Sequence, residues 1–485
     1  MTDPLYDVAI IGCGPTGACL AHLLAMQDLK VLVLDREAGA ATLPRAVHFD
    51  GEVMRVLQWI GLSERILPLT APHPGMQFVA PDGRLLLDWP RPQGIGPQGW
   101  RANYRFHQPD LEALLREALA ARPQVTLRHR CEAFLLDERA DHVALRYEDM
   151  AVGRVRHARA RYVVGADGAR SLVRRFIDTP MEDLGFHERW LVVDVLLHRD
   201  RPDLGQHTMQ FCDPARPATY SPGLGMRRRW EITVLPGEDS TAIASPDSVW
   251  ALLAPWITPG EARLERTAVY TFHALVAQDW RRGRLFLAGD ACHQTPPFMG
   301  QGLCAGVRDA ANLFWKLALA CRDHPEAERL LDSYTTERRP NARAYVATAV
   351  RLGGLINAAG TEAALRAALP GAGGSARMES IAPPLGDGLG TGNKAGLLFG
   401  QPFLSDGRRM DDALPFGFVL LCEAKAARDL TPPPGIALLT TADAPEIAPH
   451  LAALGTRAVM LRPDRHILAA GADPSALIAA AMPFL

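Results

Sequence analysis

The sequence predicts an α/β fold built on a parallel sheet, with an antiparallel sheet inserted into it and a small further α/β unit at the C-terminal end. Three observations carry this reading. Residues 7–11 form a β-branched run that is broken by Gly12-Cys13-Gly14-Pro15-Thr16-Gly17; an apolar helix follows to about Met26, and a second apolar strand, residues 31–34, ends at Asp35. Two more apolar runs, residues 161–168 and 284–290, lie far downstream. Such uniformly apolar strands belong to a parallel sheet covered on both faces. Between those two runs, residues 181–275 alternate more and carry Trp190, Phe211, Tyr220, Trp230, Tyr270 and Phe272, the pattern of an antiparallel sheet with one solvated face.

The remaining elements follow in order. A helical pattern dominates residues 302–368, with an interruption expected at Pro340. Residues 370–394 shift to Gly, Pro and Ser and read as a linker or an irregular crossing. Residues 418–421 and 436–439 then look like strands, and Asp443 and Asp473 stand where helix N-caps would. The expected division is a nucleotide-binding unit over residues 1–75, 100–180 and 276–345, a substrate-binding sheet unit over 76–99 and 181–275, a helical connection and linker over 346–394, and a C-terminal unit over 395–485.

Bulk properties narrow the function classes. With 485 residues, 48% hydrophobic and 22% charged, the chain has the composition of a globular protein of about two to four domains. A net charge of −2, with no long basic block, leaves no nucleic-acid footprint. The eight cysteines form no C-x-x-C pair, which argues against a zinc site or a disulfide framework and for reduced thiols. No segment approaches the ~18 apolar residues of a membrane span, and no signal peptide precedes the first strand. The expectation is a cytoplasmic protein with no metal, nucleic-acid or membrane partner.

The glycine motif Gly12-x-Gly14-x-x-Gly17, set between a strand and a helix and followed by Asp35, is a Rossmann-type dinucleotide signature. Its first glycine permits a tight turn, the second lets a pyrophosphate approach the backbone, and the third lets helix and strand pack closely. The helix N-terminus presents N–H groups to phosphates, and Asp35 would accept from a ribose. This motif alone does not separate FAD from NAD.

The downstream runs make the separation. Val164-Gly165-Ala166-Asp167-Gly168-Ala169-Arg170-Ser171 and Leu287-Ala288-Gly289-Asp290-Ala291-Cys292-His293, the latter continuing as Pro296-Pro297-Phe298-Met299-Gly300-Gln301-Gly302, resemble the "DG" and "GD" fingerprints of the class A flavoprotein aromatic hydroxylases. All three fingerprints match in order and spacing over roughly residues 5–345. The resemblance implies a glutathione-reductase-like FAD-binding fold. Its cofactor residues would be Gly12, Gly14, Gly17, Asp35, Arg36, Arg45, Gln108, Asp167, Asp290, Pro297, Gly300, Gly302 and Leu303. Where the family usually has Asn after the last glycine turn, this chain has Leu303-Cys304. Within the family the 3-(3-hydroxyphenyl)propionate hydroxylase group is most similar, through Pro44-Arg45-Ala46, Trp190-Leu191-Val192-Val193-Asp194, Cys212-Asp213-Pro214-Ala215-Arg216-Pro217 and Arg229-Trp230-Glu231. The C-terminal unit is similar to the thioredoxin-like appendage of those enzymes, here without a redox pair because Cys422 stands alone.

The activity implied is an NADH- or NADPH-dependent monooxygenase. The nicotinamide docks transiently and reduces FAD, dioxygen then adds at flavin C4a, and the hydroperoxide passes an oxygen atom to an electron-rich aromatic substrate. A phenylpropanoid acid is the favoured ring, with a heteroaromatic or a polyketide as alternatives; a homodimer is compatible with the reading. His48 is the candidate base that would activate a phenol, and Gln210, Tyr220, Phe298 and Met299 are candidate pocket residues. The W-x-W-x-I-P signature of a flavin halogenase is absent. A flavin reductase and a flavin-holding binding protein remain as rival readings.

Overall fold

The computed structural model describes residues 4–358, 376–377, 381–428 and 430–485. Its first sheet has a parallel core in the order Leu285–Leu287, Arg154–Gly165, Leu5–Ile11, Val31–Asp35 and Val125–His129. Val8, Ile10, Val31 and Val33 have no exposed surface, as apolar strands covered on both faces require. The helices Pro15–Ala25 and Gly302–Cys321 pack together against it. The strands Cys131–Glu138 and Val143–Asp149 add an antiparallel meander to the first half of Arg154–Gly165.

The second sheet has nine strands among the described residues. It runs from His293–Gln294 through Ala262–Ala277, Met181–Leu197, Arg227–Thr233, Ala218–Pro222, Thr208–Phe211, Gly75–Val79 and Leu85–Pro90 to Ala376–Arg377. Two joins are parallel, Thr208–Phe211 with Gly75–Val79 and Ala376–Arg377 with Leu85–Pro90, so the expected antiparallel sheet is a mixed one. It also reaches beyond the expected boundaries, taking in residues 75, 276–277, 293–294 and 376–377.

Strand register decides which side chains face the first sheet. Tyr220, Trp230 and Val193 are cross-strand neighbours and belong to a separate core beneath the helix Pro246–Leu253. Thr219, Glu231 and Val192 therefore point the other way, toward the nucleotide-binding fold.

Pro340 does not interrupt the helix as expected, because Ala327–Ala358 runs straight through it. Proline cannot donate to the carbonyl of Thr336. Gly386 packs against that freed carbonyl so closely that a Cβ would lie 2.3 Å from it, and the Gly386 N–H donates to the Glu337 carbonyl at 2.9 Å. A neighbouring segment thus stabilises a helix that the local sequence would break. Residues 359–375 and 378–380, part of the expected helix and linker, lie outside the described residues. From residue 381 onward the glycine-rich stretch is packed rather than loose: Gly388 meets the Glu337 side chain, and the Leu389 N–H donates to Glu337 Oε1 at 3.0 Å.

The C-terminal sheet has the order Ile436–Thr440, Phe418–Cys422, Ala458–Leu461 and Ile467–Gly471, with the first pair parallel and the others antiparallel. Asp473 caps the helix Pro474–Ala481 by accepting from Ser475 N–H. Asp443 does not cap; its carboxylate folds back onto Thr440.

Two buried charge networks fasten this unit to the rest of the chain. Glu337 accepts from Lys316 at 2.7 Å and from both terminal nitrogens of Arg462 at 2.8 and 3.0 Å. Asp411 accepts from Arg55 at 2.6 Å, Trp59 at 2.7 Å and Arg465 at 3.1 Å. Burial pushes both carboxyls up, but the facing cations prevail and hold each at about 2. Burial also pulls Lys316 down to about 8, since Arg462 shares its carboxylate. A depressed carboxyl stabilises the fold above its unfolded value and loses that contribution as pH falls through its folded one. Stability is therefore expected to drop between about pH 4.5 and pH 2, and thermal unfolding across that range checks it. A flat profile there would show the networks to be energetically silent.

Candidate active site

Three turns converge at the C-terminal edge of the parallel sheet. In the first, Gly12 has φ +100° and a Cβ there would lie 2.4 Å from the Ala166 carbonyl oxygen. A Cβ on Gly17 would lie 2.1 Å from the Gly12 carbonyl oxygen. Gly14 differs, because nothing lies within 4 Å of the space its Cβ would occupy. The helix Pro15–Ala25 starts there with no side-chain cap. An open approach to uncapped N–H groups is what a pyrophosphate needs.

Asp35 closes the next strand, 6% exposed. Its carboxylate accepts from Cys13 N–H at 3.0 Å, Glu37 N–H at 2.9 Å and Arg116 at 2.6 Å. Of the roughly four acceptor positions of a carboxylate, about one is left for a ribose hydroxyl. Arg36 is exposed and pairs with Glu37.

In the second turn, Asp167 Oδ2 accepts from Leu172 N–H at 2.6 Å, while Oδ1 is buried with no partner and burial pushes the carboxyl up. That orphaned acceptor fits a donor supplied by a ligand. In the third, Asp290 is accessible to solvent, yet the surrounding protein raises its pKa against the pull of His293 and Arg45. Accessibility and dense surroundings together describe the wall of a cleft. Below it, Asp309 accepts from Gly289 N–H at 2.9 Å, His293 at 2.8 Å and Arg338 at 2.9 Å. His293 is thus a structural member of the turn.

Gly300 follows with φ +63°, and a Cβ there would strike His48 at 2.9 Å. Gly302 is open on its Cβ side and begins the uncapped helix Gly302–Cys321. Arg308 holds this turn by donating to Gln301 at 3.0 Å, while also pairing with Asp50 and Glu52. Leu303 is half-buried beside it, and Pro297 leads in.

The loop carrying Arg45 is clamped from two sides. Gln108 Oε1 accepts from the N–H groups of Arg45 at 2.8 Å and Ala46 at 2.7 Å, and its amide donates to Glu112 at 2.7 Å. From the second sheet, Arg229 donates to the carbonyls of Arg45 at 2.8 Å and Pro44 at 2.5 Å, held in turn by Asp194 at 2.7 Å. Gln108, expected to contact the cofactor, positions this loop. Arg45 itself is exposed and close enough to Asp290 to act on its charge.

The candidate substrate residues separate. His48 is buried against the Gly300 turn, with Nε2 2.7 Å from Asn103 Oδ1 and Nδ1 3.3 Å from the Gly300 carbonyl. Burial and nearby Arg91 lower its pKa, so the neutral ring prevails; turning the Asn103 amide so that it donates lets His48 donate to Gly300. His48 thus packs the Gly300 turn against Asn103. Tyr220 faces the opposite side of its sheet. Phe298 is wedged between Phe186 and Trp190, with ring centroids 5.5 and 5.6 Å away, and serves packing. Met299 is 4% exposed within the same core. Gln210 is 1% exposed and does lie on the face toward the nucleotide-binding fold.

Sequence reasoning missed Glu112, Arg116, Arg308 and Asn103, which brace these turns. Spacing could have found two of them, since Gln108, Glu112 and Arg116 recur every fourth residue and share one helix face. Three long polar residues on a buried helical stripe signal partners waiting across it.

Residues 5–349 match the family described as FAD binding domain. The chain is 42% identical over 351 residues to a probable NADH-specific resorcinol 4-hydroxylase of Rhodococcus jostii, covering 72% of this chain and 65% of that protein. It is 37% identical over 342 residues to a 3-(3-hydroxy-phenyl)propionate/3-hydroxycinnamic acid hydroxylase of Paraburkholderia xenovorans, covering 70% and 54%. The chain spans less than two thirds of the length of these curated relatives. Among solved structures, the flavin-dependent monooxygenase PieE in complex with FAD and substrate superposes with a TM-score of 0.84 at 22% identity, covering 100% of this chain and 99% of that one. A ternary complex of aklavinone-11 hydroxylase with FAD and aklavinone superposes with a TM-score of 0.78 at 23% identity, covering 99% of each chain. At such identities the likeness is one of fold. The sequence match over most of the chain, joined to the three convergent turns, places this protein in the FAD binding domain family.

Proposed function

We propose that this protein is an FAD-dependent monooxygenase that uses NADH or NADPH and dioxygen to hydroxylate a phenolic ring. The observation that carries the reading is the junction itself: the turns that fit FAD meet, across the Arg45 loop, a sheet face bearing polar side chains. The relatives named for resorcinol and for hydroxyphenylpropionate support a phenol over other rings, and the resorcinol relative favours NADH.

Bound FAD supplies the redox chemistry that activates dioxygen. The chain's own residues bind and orient it. The Gly14 approach and the Pro15–Ala25 helix would receive its pyrophosphate, Asp35 and Asp290 would accept from its ribose and ribitol hydroxyls, and the Gly300–Gly302 backbone would face its ring. The positive end of Gly302–Cys321 stabilises negative charge gained there. We read the C-terminal unit as thioredoxin-like from its strand order and directions, with a structural role. We keep the domain division expected from sequence as part of this reading, with the sheet boundaries widened to the strands of the second sheet. Among the described residues no helix is long and apolar enough to cross a membrane, and all eight cysteines are free and buried, which supports a cytoplasmic location.

The test is turnover. FAD-loaded protein is given NADH or NADPH with resorcinol or 3-(3-hydroxyphenyl)propionate, and nicotinamide oxidation, oxygen uptake and hydroxylated product are followed together. Product in step with NADH use upholds the reading; nicotinamide oxidation that no phenol accelerates and that yields no product overturns it.

Removing the loop clamp supplies a second check. Gln108→Ala is expected to cost about 1–3 kcal/mol of stability, because two N–H groups and Glu112 lose their partner, and to weaken FAD retention. Thermal unfolding with and without FAD measures both.

A further inference from the structure

The face of the second sheet turned toward the flavin turns carries three rows of side chains set by its register. In one row Ser221, Arg229 and Asp194 are cross-strand neighbours, and Arg229 reaches the Arg45 loop. Four residues along the strand from Asp194, Trp190 packs on Phe298 beside the Gly300 turn. Between them lies the row Gln210, Thr219, Glu231 and Val192. Side chains in a strand repeat every second residue, so this middle row lies between the Arg229 contact with the Arg45 loop and the Trp190 contact with Phe298 at the Gly300 turn.

The row has an unbalanced hydrogen-bonding character. Glu231 is 8% exposed, and its ion-pair partner is Arg229, 3.9 Å away and beyond hydrogen-bond reach. That guanidinium is committed to Asp194 and to the carbonyls of Pro44 and Arg45. Burial raises the Glu231 pKa, with Arg229 and Arg266 pulling it down and Asp194 pushing it up. Two strands away, beyond Thr219, Gln210 accepts from the Thr219 hydroxyl at 2.5 Å and turns its amide nitrogen to the weakly accepting sulfur of Met76, 3.5 Å away. A buried carboxylate without a hydrogen-bond donor among the described residues, in one row with an amide that has a donor to spare, is built to receive a hydroxyl group.

We propose that Glu231 is the catalytic base of the substrate site, accepting the proton of a ring hydroxyl. The inference rests on the monooxygenase reading and deepens it by naming the substrate class, a phenol whose hydroxyl faces the sheet. In the step, the phenolic O–H bond breaks, its proton passes to the Glu231 carboxylate, and the electron pair stays on oxygen. The resulting phenolate is the more electron-rich ring. The carboxyl returns the proton when the neutral product leaves. A base whose pKa is raised toward that of the phenol transfers protons more effectively. A substrate carboxylate facing this row would meet like charge, so ring acids without a hydroxyl are excluded from it.

The experiment uses FAD-loaded protein and 4-nitrophenol, whose absorbance reports its own ionisation, in wild type, Glu231→Gln and Glu231→Asp. FAD content and thermal midpoint certify that each variant is folded. In wild type the affinity is expected to weaken about ten-fold or more as pH rises through the ionisation of the phenol, since phenolate then faces carboxylate. In Glu231→Gln that weakening disappears or inverts, because an amide donates to phenolate; Glu231→Asp keeps a reduced form of it. With the true substrate, Glu231→Gln is expected to lose about 100-fold in kcat, recovered in part at alkaline pH where the phenol ionises unaided. The same pH dependence of binding in wild type and Glu231→Gln overturns the proposal, as does no binding to wild type. The binding readout needs no turnover: if no phenol is hydroxylated but Glu231→Gln still inverts the pH dependence, the monooxygenase reading falls and the phenol site stands.

Discussion

Glu337→Ala is expected to destabilise the protein by about 3–5 kcal/mol, the cost of leaving buried charges without their counter-charge. Glu337 is 1% exposed, and Lys316 and Arg462 beside it are equally hidden. Asn312 and the Leu389 N–H also donate to this carboxylate, at 3.0 Å each, so its removal takes an acceptor from four groups on three segments. Arg462 retains Asp464 at 2.6 Å, which limits the loss. Lys316 retains only the Ser333 hydroxyl, at 2.8 Å. Lys316→Met in the Glu337→Ala background should therefore recover part of the loss, a coupling that a double-mutant cycle reads directly. Urea unfolding at saturating FAD measures these differences, with the ligand held constant because it stabilises the folded state by mass action. A loss below about 1 kcal/mol would mean that water or rearrangement compensates the cations, and the C-terminal unit would then be held by apolar packing and the Asp411 network.

The same network shows where local sequence reasoning stops. The three fingerprints were legible because each is a contiguous backbone requirement: a glycine where a Cβ would strike a carbonyl, an acid at a strand end, a helix start without a cap. Strand existence was legible for the same reason, since apolar runs such as residues 31–34 have few alternatives. Register was not. Gln210 and Tyr220 both looked like pocket residues, but pairing Gln210 with Thr219 sends Tyr220 to the far face, and a one-residue shift would have exchanged them. Pro340 and Gly388 were misread because their partners are distant in sequence. A proline survives mid-helix only because residue 386 comes to it, and a glycine that looked like linker is required by the bulk of Glu337.

Positioning residues were the least legible part of the site. His48 was singled out for its titratable ring, yet its ring is held between Asn103 and Gly300 and shapes the turn. Glu231 was quoted only within a motif, while burial, register and the commitment of Arg229 elsewhere mark it as the carboxylate left facing the site. The two clamps on the Arg45 loop also have different origins. Gln108 belongs to the nucleotide-binding fold and Arg229 to the second sheet, so the loop registers the placement of one against the other. A shift between the sheets would be felt first at the peptide groups of Pro44, Arg45 and Ala46.

Gly14→Ala and Gly17→Ala, three residues apart, are expected to fail in different ways. At Gly17 a methyl group would sit 2.1 Å from the Gly12 carbonyl oxygen and 3.2 Å from Ala166 Cβ, and both belong to segments that close the parallel sheet. Overlap with backbone cannot be relieved by a rotamer, so Gly17→Ala should cost about 3 kcal/mol or more in the apoprotein itself. Gly14 has φ −69°, which any residue adopts, and open space where its Cβ would lie. Gly14→Ala should therefore fold as the parent does, or gain slightly from a less flexible unfolded chain. Its methyl would instead occupy the approach that the pyrophosphate needs to reach the uncapped helix N–H groups. The expected result is an unchanged apoprotein melting temperature with FAD affinity lowered on the order of 100-fold, about 2.7 kcal/mol. Fluorescence titration with FAD and unfolding of the stripped protein read the two quantities separately. If Gly14→Ala bound FAD normally, the phosphates would not pass over this turn, and the fit of the cofactor to the first fingerprint would be wrong. Equal stability losses in both variants would instead make the motif a packing device, with close approach of helix to strand as its whole purpose.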